Sequence, residues 1–129
     1  MLGKDTVDLQ TLRVLVVDDD VPVRTAVVSM LRELGVTTIT TADNAHAALE
    51  MVERNCPFEL VITDVVMPGV NGIAMTQLLQ QICPRLPIVL MTGYAEKLDE
   101  VIQGGILALM KPFTIDMLRR VIEDALIIK

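Results

Sequence analysis

The sequence predicts an α/β domain in which helices cover both faces of a five-stranded parallel sheet. Short apolar and β-branched runs alternate five times with segments of helical pattern, and this alternation is typical of a parallel sheet. Hydrophobic residues make up 52% of the 129 residues, which is enough for one core of ordinary domain size. No stretch rich in Pro, Gly or Ser divides the chain. We therefore expect a single doubly wound domain over 12–129, after a short polar lead-in at 1–11.

The first strand is predicted within 13–20, where a β-branched run stops at three consecutive aspartates. Continuous apolar runs of this length suit a strand that is buried on both faces. A helix is predicted over 21–35. Asp20 can cap this helix, Pro22 suits its first turn and Gly35 can end it.

The middle of the chain repeats this order twice. Residues 36–42 are rich in Thr and other β-branched residues, so they are predicted to form the second strand. The alanine-rich segment 43–55 is predicted to be helical. A third strand is expected over 58–64, and the helix at 71–83 has Asn71 as a plausible cap.

The last third of the chain contains two more strands and two more helices. The fourth strand is predicted at 87–93, and a short, weak helix follows at 95–105, where it ends in glycines. The fifth strand is predicted at 106–113. Thr114 can cap the final helix at 115–128.

Charged and hydroxyl side chains stand where four of these strands end: Asp18, Asp19, Asp64, Thr92 and Lys111. In a parallel sheet these ends share one edge, which is where open α/β sheets place their ligands. Three carboxylates repel one another and need a cation, and oxygen ligands of this kind favour Mg²⁺. An aspartate can also act as a nucleophile toward a phosphoryl group. The pattern therefore indicates phosphoryl chemistry at this edge.

Four motifs, VLVVDDD, LVITDVVMPGVNG, PIVLMTG and MKPF, occur in this order along the chain. With them the chain resembles a response-regulator receiver domain of two-component signalling, from about Leu12 to the C-terminus. The resemblance implies a flavodoxin-like fold with strand order 2-1-3-4-5. It also implies a phosphorylation-activated signalling switch, which catalyses only its own phosphorylation and dephosphorylation and is otherwise not an enzyme.

The resemblance assigns roles to the acidic residues. Asp64 matches the aspartate that accepts the phosphoryl group in this family. Asp18 and Asp19 match the acidic pair that binds Mg²⁺, and Asp19 is the expected direct ligand. Asp64 and the backbone carbonyl of Val66 complete the implied metal site.

The remaining motif residues also have counterparts in the family. Thr92 matches the switch hydroxyl, and Lys111 matches the family lysine, whose bond to Pro112 is expected to be cis. Pro68 and Gly72 match the loop that follows the acceptor.

The chain departs from the family pattern between Thr92 and Lys111, where it has fewer residues than usual. The fourth helix should therefore be short, mobile or irregular. Ala108 stands where an aromatic residue is usual. The stretch PIVLMTGY instead resembles a receiver subgroup with Pro-Phe-x-Phe-Ala-Thr-Gly-Tyr, so we expect Tyr94 to supply the aromatic.

Val66 and Tyr94 lack the carboxylate or amide that would orient a hydrolytic water, which predicts a long-lived phosphoryl group.

The implied partners are a histidine kinase or phosphotransfer protein as donor and a downstream output domain or protein as reader. A homodimer is possible, and the sequence leaves open whether the chain works alone or within a longer regulator or hybrid kinase.

A net charge of −6 argues against direct binding of nucleic acid, and no apolar run is long enough for a membrane. Cys56 and Cys83 are expected to be reduced thiols, which fits a cytoplasmic protein.

Two other classes of function stay open at this point. An aspartate-dependent phosphatase of free metabolites would usually carry a second acid two positions after the nucleophile, where this chain has Val66. A phosphorylation-independent interaction module would have a decayed site, whereas the acids, the threonine and the lysine are all present.

Overall fold

The computed structural model describes residues 8–54, 56–67, 70–103 and 106–127. These residues form seven strands and five helices. In chain order they are β1 (Arg13–Val17), α1 (Val21–Leu34), β2 (Thr38–Ala42), α2 (Ala45–Glu53), β3 (Leu60–Asp64), β4 (Val66–Met67), β5 (Val70–Asn71), α3 (Gly72–Ile82), β6 (Ile88–Thr92), α4 (Ala95–Gln103), β7 (Leu107–Met110) and α5 (Ile115–Ile127).

Five of the strands form one parallel sheet in the order β2-β1-β3-β6-β7. When only these five are counted, the order is 2-1-3-4-5, so the predicted fold class is confirmed. The order reverses between β1 and β3, which lie side by side with Val16 opposite Ile62. This reversal marks the place on the carboxyl edge where doubly wound sheets hold their ligands.

The sheet separates two hydrophobic cores because side chains alternate between its faces. Val14 and Val16 point into the core beneath α1 and α5, while Leu15 and Val17 point into the core beneath α2, α3 and α4. Every residue of β3 and β6 is buried, as expected for central strands covered on both faces. Leu9, from the predicted polar lead-in, packs against the first core.

The predicted helix caps are present. The Asp20 carboxylate accepts a backbone N–H in the first turn of α1, and Gly35 ends that helix with φ 108°. Asn71 and Thr114 accept backbone N–H groups at the starts of α3 and α5. Helix α4 is regular and has nine residues, so it is short, as predicted. The glycines predicted to end it lie outside the described residues.

One element was absent from the sequence prediction. After β3 the chain forms an antiparallel pair, β4 and β5, in which Val66 lies opposite Asn71. Strands of two residues carry too little periodicity to be recognised in a sequence. The pair lies between the end of β3 and the start of α3, so it positions the segment that follows Asp64.

Cys56 and Cys83 form a disulfide, so the prediction of two reduced thiols is wrong. Their Cα atoms lie 6.1 Å apart although 27 positions separate the residues in the sequence. Cys56 follows α2 and Cys83 caps the end of α3, and these two helices pack against each other on one face of the sheet. This packing brings the cysteines together, and no local motif in the sequence reports it. The disulfide also removes the support that reduced thiols lent to a cytoplasmic location.

None of the helices in the described part of the chain combines the length and apolar character that crossing a membrane requires.

Candidate functional site

The carboxyl edge of the sheet holds the acidic residues that the sequence singled out. Asp18 follows β1 and is fully buried. Its carboxylate accepts the backbone N–H of Asp20 at 2.9 Å through one oxygen and lies 3.3 Å from Nζ of Lys111 through the other. Both oxygens therefore have a partner, and these contacts compensate part of the cost of burying the charge.

Asp64 lies beside Asp18 at the end of β3, and only 9% of its surface is exposed. Nζ of Lys111 lies 3.2 Å from its Oδ1, so a single ammonium group bridges Asp18 and Asp64. The lysine follows β7, and its backbone N–H donates to the carbonyl of Thr92 at 2.7 Å. The parallel sheet thus brings together residues from three of its strand ends.

Asp19 completes the acidic cluster from the solvent side. One carboxylate oxygen from each of Asp18, Asp19 and Asp64 lies within 4.8 Å of the other two. Among the described residues, no cationic group lies within 4.0 Å of Asp19. One ammonium therefore contacts two of the three carboxylates, and the third has no cationic partner among the described residues. This excess of closely spaced oxygen donors is the chemistry that a hard divalent cation requires, so the cluster fits such an ion.

Burial raises the pKa of the Asp64 carboxyl above its ordinary value. The nearby Lys111 ammonium opposes this rise in pKa, and the charge of Asp18 adds to it. Burial would lower the pKa of Lys111, but the charges of Asp64 and Asp18 outweigh that effect and raise it. The lysine therefore stays protonated, and the site has a permanent positive charge beside a carboxylate that is costly to ionise.

Thr92 ends β6, the strand next to β3, and is buried. Its hydroxyl oxygen accepts the backbone N–H of Tyr94 at 3.1 Å. On the neighbouring strand, Met91 is the register partner of Asp64. Thr92 therefore lies one residue beyond the level of Asp64, on the same edge of the sheet.

The segment after Asp64 passes very close to the start of α3. The N–H of Gly72 donates to the carbonyl of Val65 at 2.6 Å, and a Cβ at Gly72 would lie 2.6 Å from Cα of Val65. Only glycine fits this approach. Val66 is exposed at the surface of this segment. Pro68, also predicted to belong to this loop, lies outside the described residues.

Arg24 was missed in the sequence analysis. It lies in the second turn of α1, and its Nη1 donates to the backbone carbonyl of Asp18 at 2.7 Å. A second cation thereby ties helix α1 to the end of β1. The only signal in the sequence is a basic residue one turn after the run of aspartates, which is common on helix surfaces.

The predicted cis bond between Lys111 and Pro112 is present.

A family model described as "Response regulator receiver domain" matches residues 14–123. The chain belongs to this family. Members of the family are phosphorylation-activated signalling switches, so the function predicted from the sequence is confirmed at that level.

This receiver domain is similar to two curated proteins of different architecture. It is 34% identical over 117 residues to the DNA-binding transcriptional regulator NtrC of Escherichia coli strain K12, covering 88% of this chain and 24% of NtrC. It is 32% identical over 118 residues to the chemotaxis protein CheY of Pseudomonas aeruginosa, covering 87% of this chain and 94% of CheY. The chain thus spans about a quarter of the length of the transcriptional regulator and nearly all of the chemotaxis protein.

Solved structures agree with this assignment. The receiver domain of NtrX from Brucella abortus superposes with a TM-score of 0.80 at 32% sequence identity. That superposition covers 90% of this chain and 99% of the NtrX domain.

Proposed function

We propose that Asp64 accepts a phosphoryl group from a histidine kinase or phosphotransfer protein, and that Asp18, Asp19, Thr92 and Lys111 assist this transfer. The observation that carries the proposal is the bridging of Asp18 and Asp64 by the Lys111 ammonium, beside a third carboxylate. A carboxylate that is to be phosphorylated needs nearby positive charge, since the incoming group is itself anionic.

Each residue has a definite task in this scheme. An oxygen of Asp64 attacks phosphorus, and the bond between phosphorus and the donor breaks as the acyl phosphate forms. Lys111 donates to a phosphoryl oxygen as its contact with Asp64 is released. The carboxylates of Asp18, Asp19 and Asp64, with the carbonyl of Val66, would hold Mg²⁺. When bound, that ion supplies positive charge to phosphoryl oxygens.

The product of this chemistry is a change of conformation. The Thr92 hydroxyl accepts a hydrogen bond from the backbone of Tyr94, and rotation of this side chain would break that bond and let the hydroxyl donate to a new phosphoryl oxygen. That exchange would shift the populations of two arrangements of the segment leading into α4. A downstream output domain or protein would read the altered surface around α4, β7 and α5, and a homodimer could form there.

The boundaries and setting of the domain belong to the same proposal. We assign the receiver domain to 12–129, after the lead-in at 1–11. Its partners would be proteins, with no direct contact to nucleic acid or membrane, and the exchange with a kinase would take place in the cytoplasm. The chemistry is limited to the phosphorylation and dephosphorylation of Asp64.

Acetyl phosphate with Mg²⁺ tests the proposal directly. Incubation should add the mass of one phosphoryl group to the intact protein, and Asp64→Asn should abolish the addition. A chelator should abolish it in the wild-type protein as well. Aspartates elsewhere provide a matched control, and Asp99→Asn, exposed on α4, should be phosphorylated like the wild type. If the Asp64→Asn variant gains the same mass, Asp64 is not the acceptor. If neither acetyl phosphate nor beryllofluoride reacts, a phosphorylation-independent interaction module is favoured.

The same experiment tests the lifetime of the phosphoryl group. Val66 and Tyr94 are exposed by 46% and 57% in the neighbourhood of the site, and neither carries a group that would orient a water molecule for attack. We predict that the adduct outlasts removal of acetyl phosphate by minutes or longer. Val66→Asn should shorten its lifetime, while Leu78→Asn, a similar change on the exposed face of α3, should not. Decay of the wild-type adduct within seconds would contradict the prediction.

A further inference from the structure

The disulfide lies at the opposite end of α3 from the acidic cluster. It joins Cys56 to Cys83 and thereby closes a loop that contains β3, the β4–β5 pair and the whole of α3. Asp64 lies inside this loop. The bond therefore constrains the one stretch of chain that carries the proposed acceptor.

Helix α3 connects the two places physically. Its 11 residues span about 16 Å. At its start, the Gly72 N–H donates to the carbonyl of Val65 at 2.6 Å, and a Cβ at Gly72 would lie only 2.6 Å from Cα of Val65. At its end, Cys83 is bonded to Cys56. The helix is thus held at one end by the segment after Asp64 and at the other end by the disulfide.

Contacts other than the disulfide also hold the chain around the two cysteines. The N–H of Cys83 donates to Leu79 at 2.8 Å, and the N–H of Cys56 donates to Val52 at 3.0 Å. Both side chains are half-buried against the core beneath α2 and α3, where reduced cysteine also packs well. Reduction would therefore loosen this region by removing the covalent link, while the remaining hydrogen bonds and packing keep the domain folded.

Both cysteine residues are partly exposed, so a small reductant can approach them. Cys56 has φ 47°, in the left-handed region that residues other than glycine seldom adopt. A link held at such a position helps to fix the turn after α2, so its loss should relax that turn as well as the end of α3.

We propose that Cys56 and Cys83 form a redox-active site, whose reduction by a dithiol loosens α3 and slows phosphorylation of Asp64. The functional half of this inference rests on the proposed function. A disulfide in a reducing compartment usually serves as a transient or sensing bond.

The exchange follows ordinary thiol–disulfide chemistry. A thiolate of the dithiol attacks one cysteine sulfur, the Cys56–Cys83 bond breaks, and the released cysteine thiolate takes a proton. The second thiol of the reductant then attacks the mixed disulfide, which frees the other cysteine and releases the reductant as a cyclic disulfide. Two electrons pass from the reductant to the protein. A small-molecule disulfide such as oxidised glutathione carries out the reverse reaction.

Dithiothreitol is the probe for a test in native buffer. Reduction should be complete while circular dichroism shows the protein still folded, and the melting temperature should fall by on the order of 10 °C. Amide hydrogen exchange should accelerate across 72–82 and in the segment after Asp64. The initial rate of phosphorylation by acetyl phosphate should fall by about threefold, since the acceptor segment is less well positioned.

Matched variants separate the cysteines from other effects of the reductant. The double variant Cys56→Ser, Cys83→Ser should behave like the reduced protein and should not respond to dithiothreitol. Oxidised glutathione should restore the wild-type values after reduction. If the double variant fails to fold, the comparison of oxidised with reduced wild-type protein is sufficient to test the proposal.

Two results would overturn the proposal. The first is reduction that occurs only as the protein unfolds, which would make the disulfide an inert crosslink. The second is reduction of the native protein with equal phosphorylation rates in both states and with faster exchange only beside the cysteines. Absence of phosphorylation in both states would overturn the role of Asp64 instead. In that case, reduction of the native protein and the change in amide hydrogen exchange across α3 still decide whether the two cysteines form a redox-active site.

Discussion

The fold makes the ionised form of Asp64 costly, because this carboxylate is buried. Because burial and the charge of Asp18 raise its pKa, the folded protein binds a proton more tightly than the unfolded chain. The stability associated with protonated Asp64 is complete below the ordinary carboxyl pKa and is lost as the pH rises through the raised value. Asp64→Asn, which resembles the protonated form, should therefore raise the melting temperature at neutral pH by a few degrees.

The pH dependence and a metal ion both check this explanation. In metal-free buffer, the advantage of Asp64→Asn should shrink as the pH falls toward the ordinary carboxyl pKa. Added Mg²⁺ should stabilise the wild-type protein more than the variant, since the variant lacks one of the three carboxylates. The exposed Asp99→Asn provides the control and should show neither trend. A variant that melts below the wild type would mean that the Lys111 ion pair outweighs the cost of burial.

Gly72 is the residue with the least steric tolerance near the site. A Cβ there would lie 2.6 Å from Cα of Val65 and 2.7 Å from the carbonyl oxygen of Asp64, and both are backbone atoms that cannot rotate away. Gly72→Ala should therefore destabilise the fold by about 2 kcal/mol or more. Gly93→Ala should be nearly neutral, because nothing lies within 4 Å of a Cβ at that position. Urea unfolding of both variants measures the difference, and equal midpoints would contradict it.

The individual site residues were predictable from the sequence to different degrees. Asp18, Asp64 and Lys111 each stand at the end of a strand of recognisable pattern, so the rule that parallel strand ends share one edge was sufficient to group them. Arg24 was not predictable, because its contact is with a backbone carbonyl and depends on how α1 leaves β1. The type of a side chain and its position at the end of a strand can be read from the sequence. A contact with a particular backbone carbonyl depends on the folded path of the chain and cannot.

Among the five helices, α4 has the fewest buried residues. Val101 is its only fully buried residue, and most of the others are charged or exposed. Val101→Ala should cost about 2 kcal/mol and should accelerate amide exchange across Ala95–Gln103 before the rest of the domain. Ile102→Ala is the matched control, since Ile102 is 58% exposed. Uniform acceleration over the whole domain would show that α4 does not open separately.

The accuracy of the element predictions followed the length and period of each segment. Strands β1, β3 and β6 were recognised from unbroken apolar runs, and the helices from their caps and apolar faces. The predicted ranges 21–35 and 71–83 end one residue beyond α1 and α3, because the residue that caps a helix has the same local pattern as its last turn. The β4–β5 pair escaped notice because its strands have two residues each.

At the scale of the whole molecule, the sequence predicted which strand ends meet at one edge of the sheet but not which ends of the helices meet. The strand order came from the family resemblance and was confirmed. The disulfide was missed because it depends on the relative placement of α2 and α3, two helices that share one face of the sheet. Contacts of this kind require the three-dimensional arrangement, since 27 positions of sequence separation carry no pairing signal.

The proposed signal crosses the molecule from the acidic cluster to α4 through Thr92 and Tyr94. If the Thr92 hydroxyl turns to the phosphoryl group, the N–H of Tyr94 loses its acceptor and the start of α4 must rearrange. The ring of Tyr94, now 57% exposed, would move with it and supply the aromatic contact that Ala108 cannot. Tyr94→Ala should therefore leave the rate of phosphorylation within about twofold, since the ring takes no part in the transfer.

The response to phosphorylation should change much more than the rate. In the wild type, phosphorylation should alter amide exchange across α4 and β7, and Tyr94→Ala should remove most of that alteration. Tyr94→Phe keeps the ring and should respond as the wild type does, which separates the ring from the phenolic hydroxyl. An undiminished response in Tyr94→Ala would show that the change of hydrogen-bond partner at Thr92 is sufficient to carry the signal, with no need for the aromatic side chain.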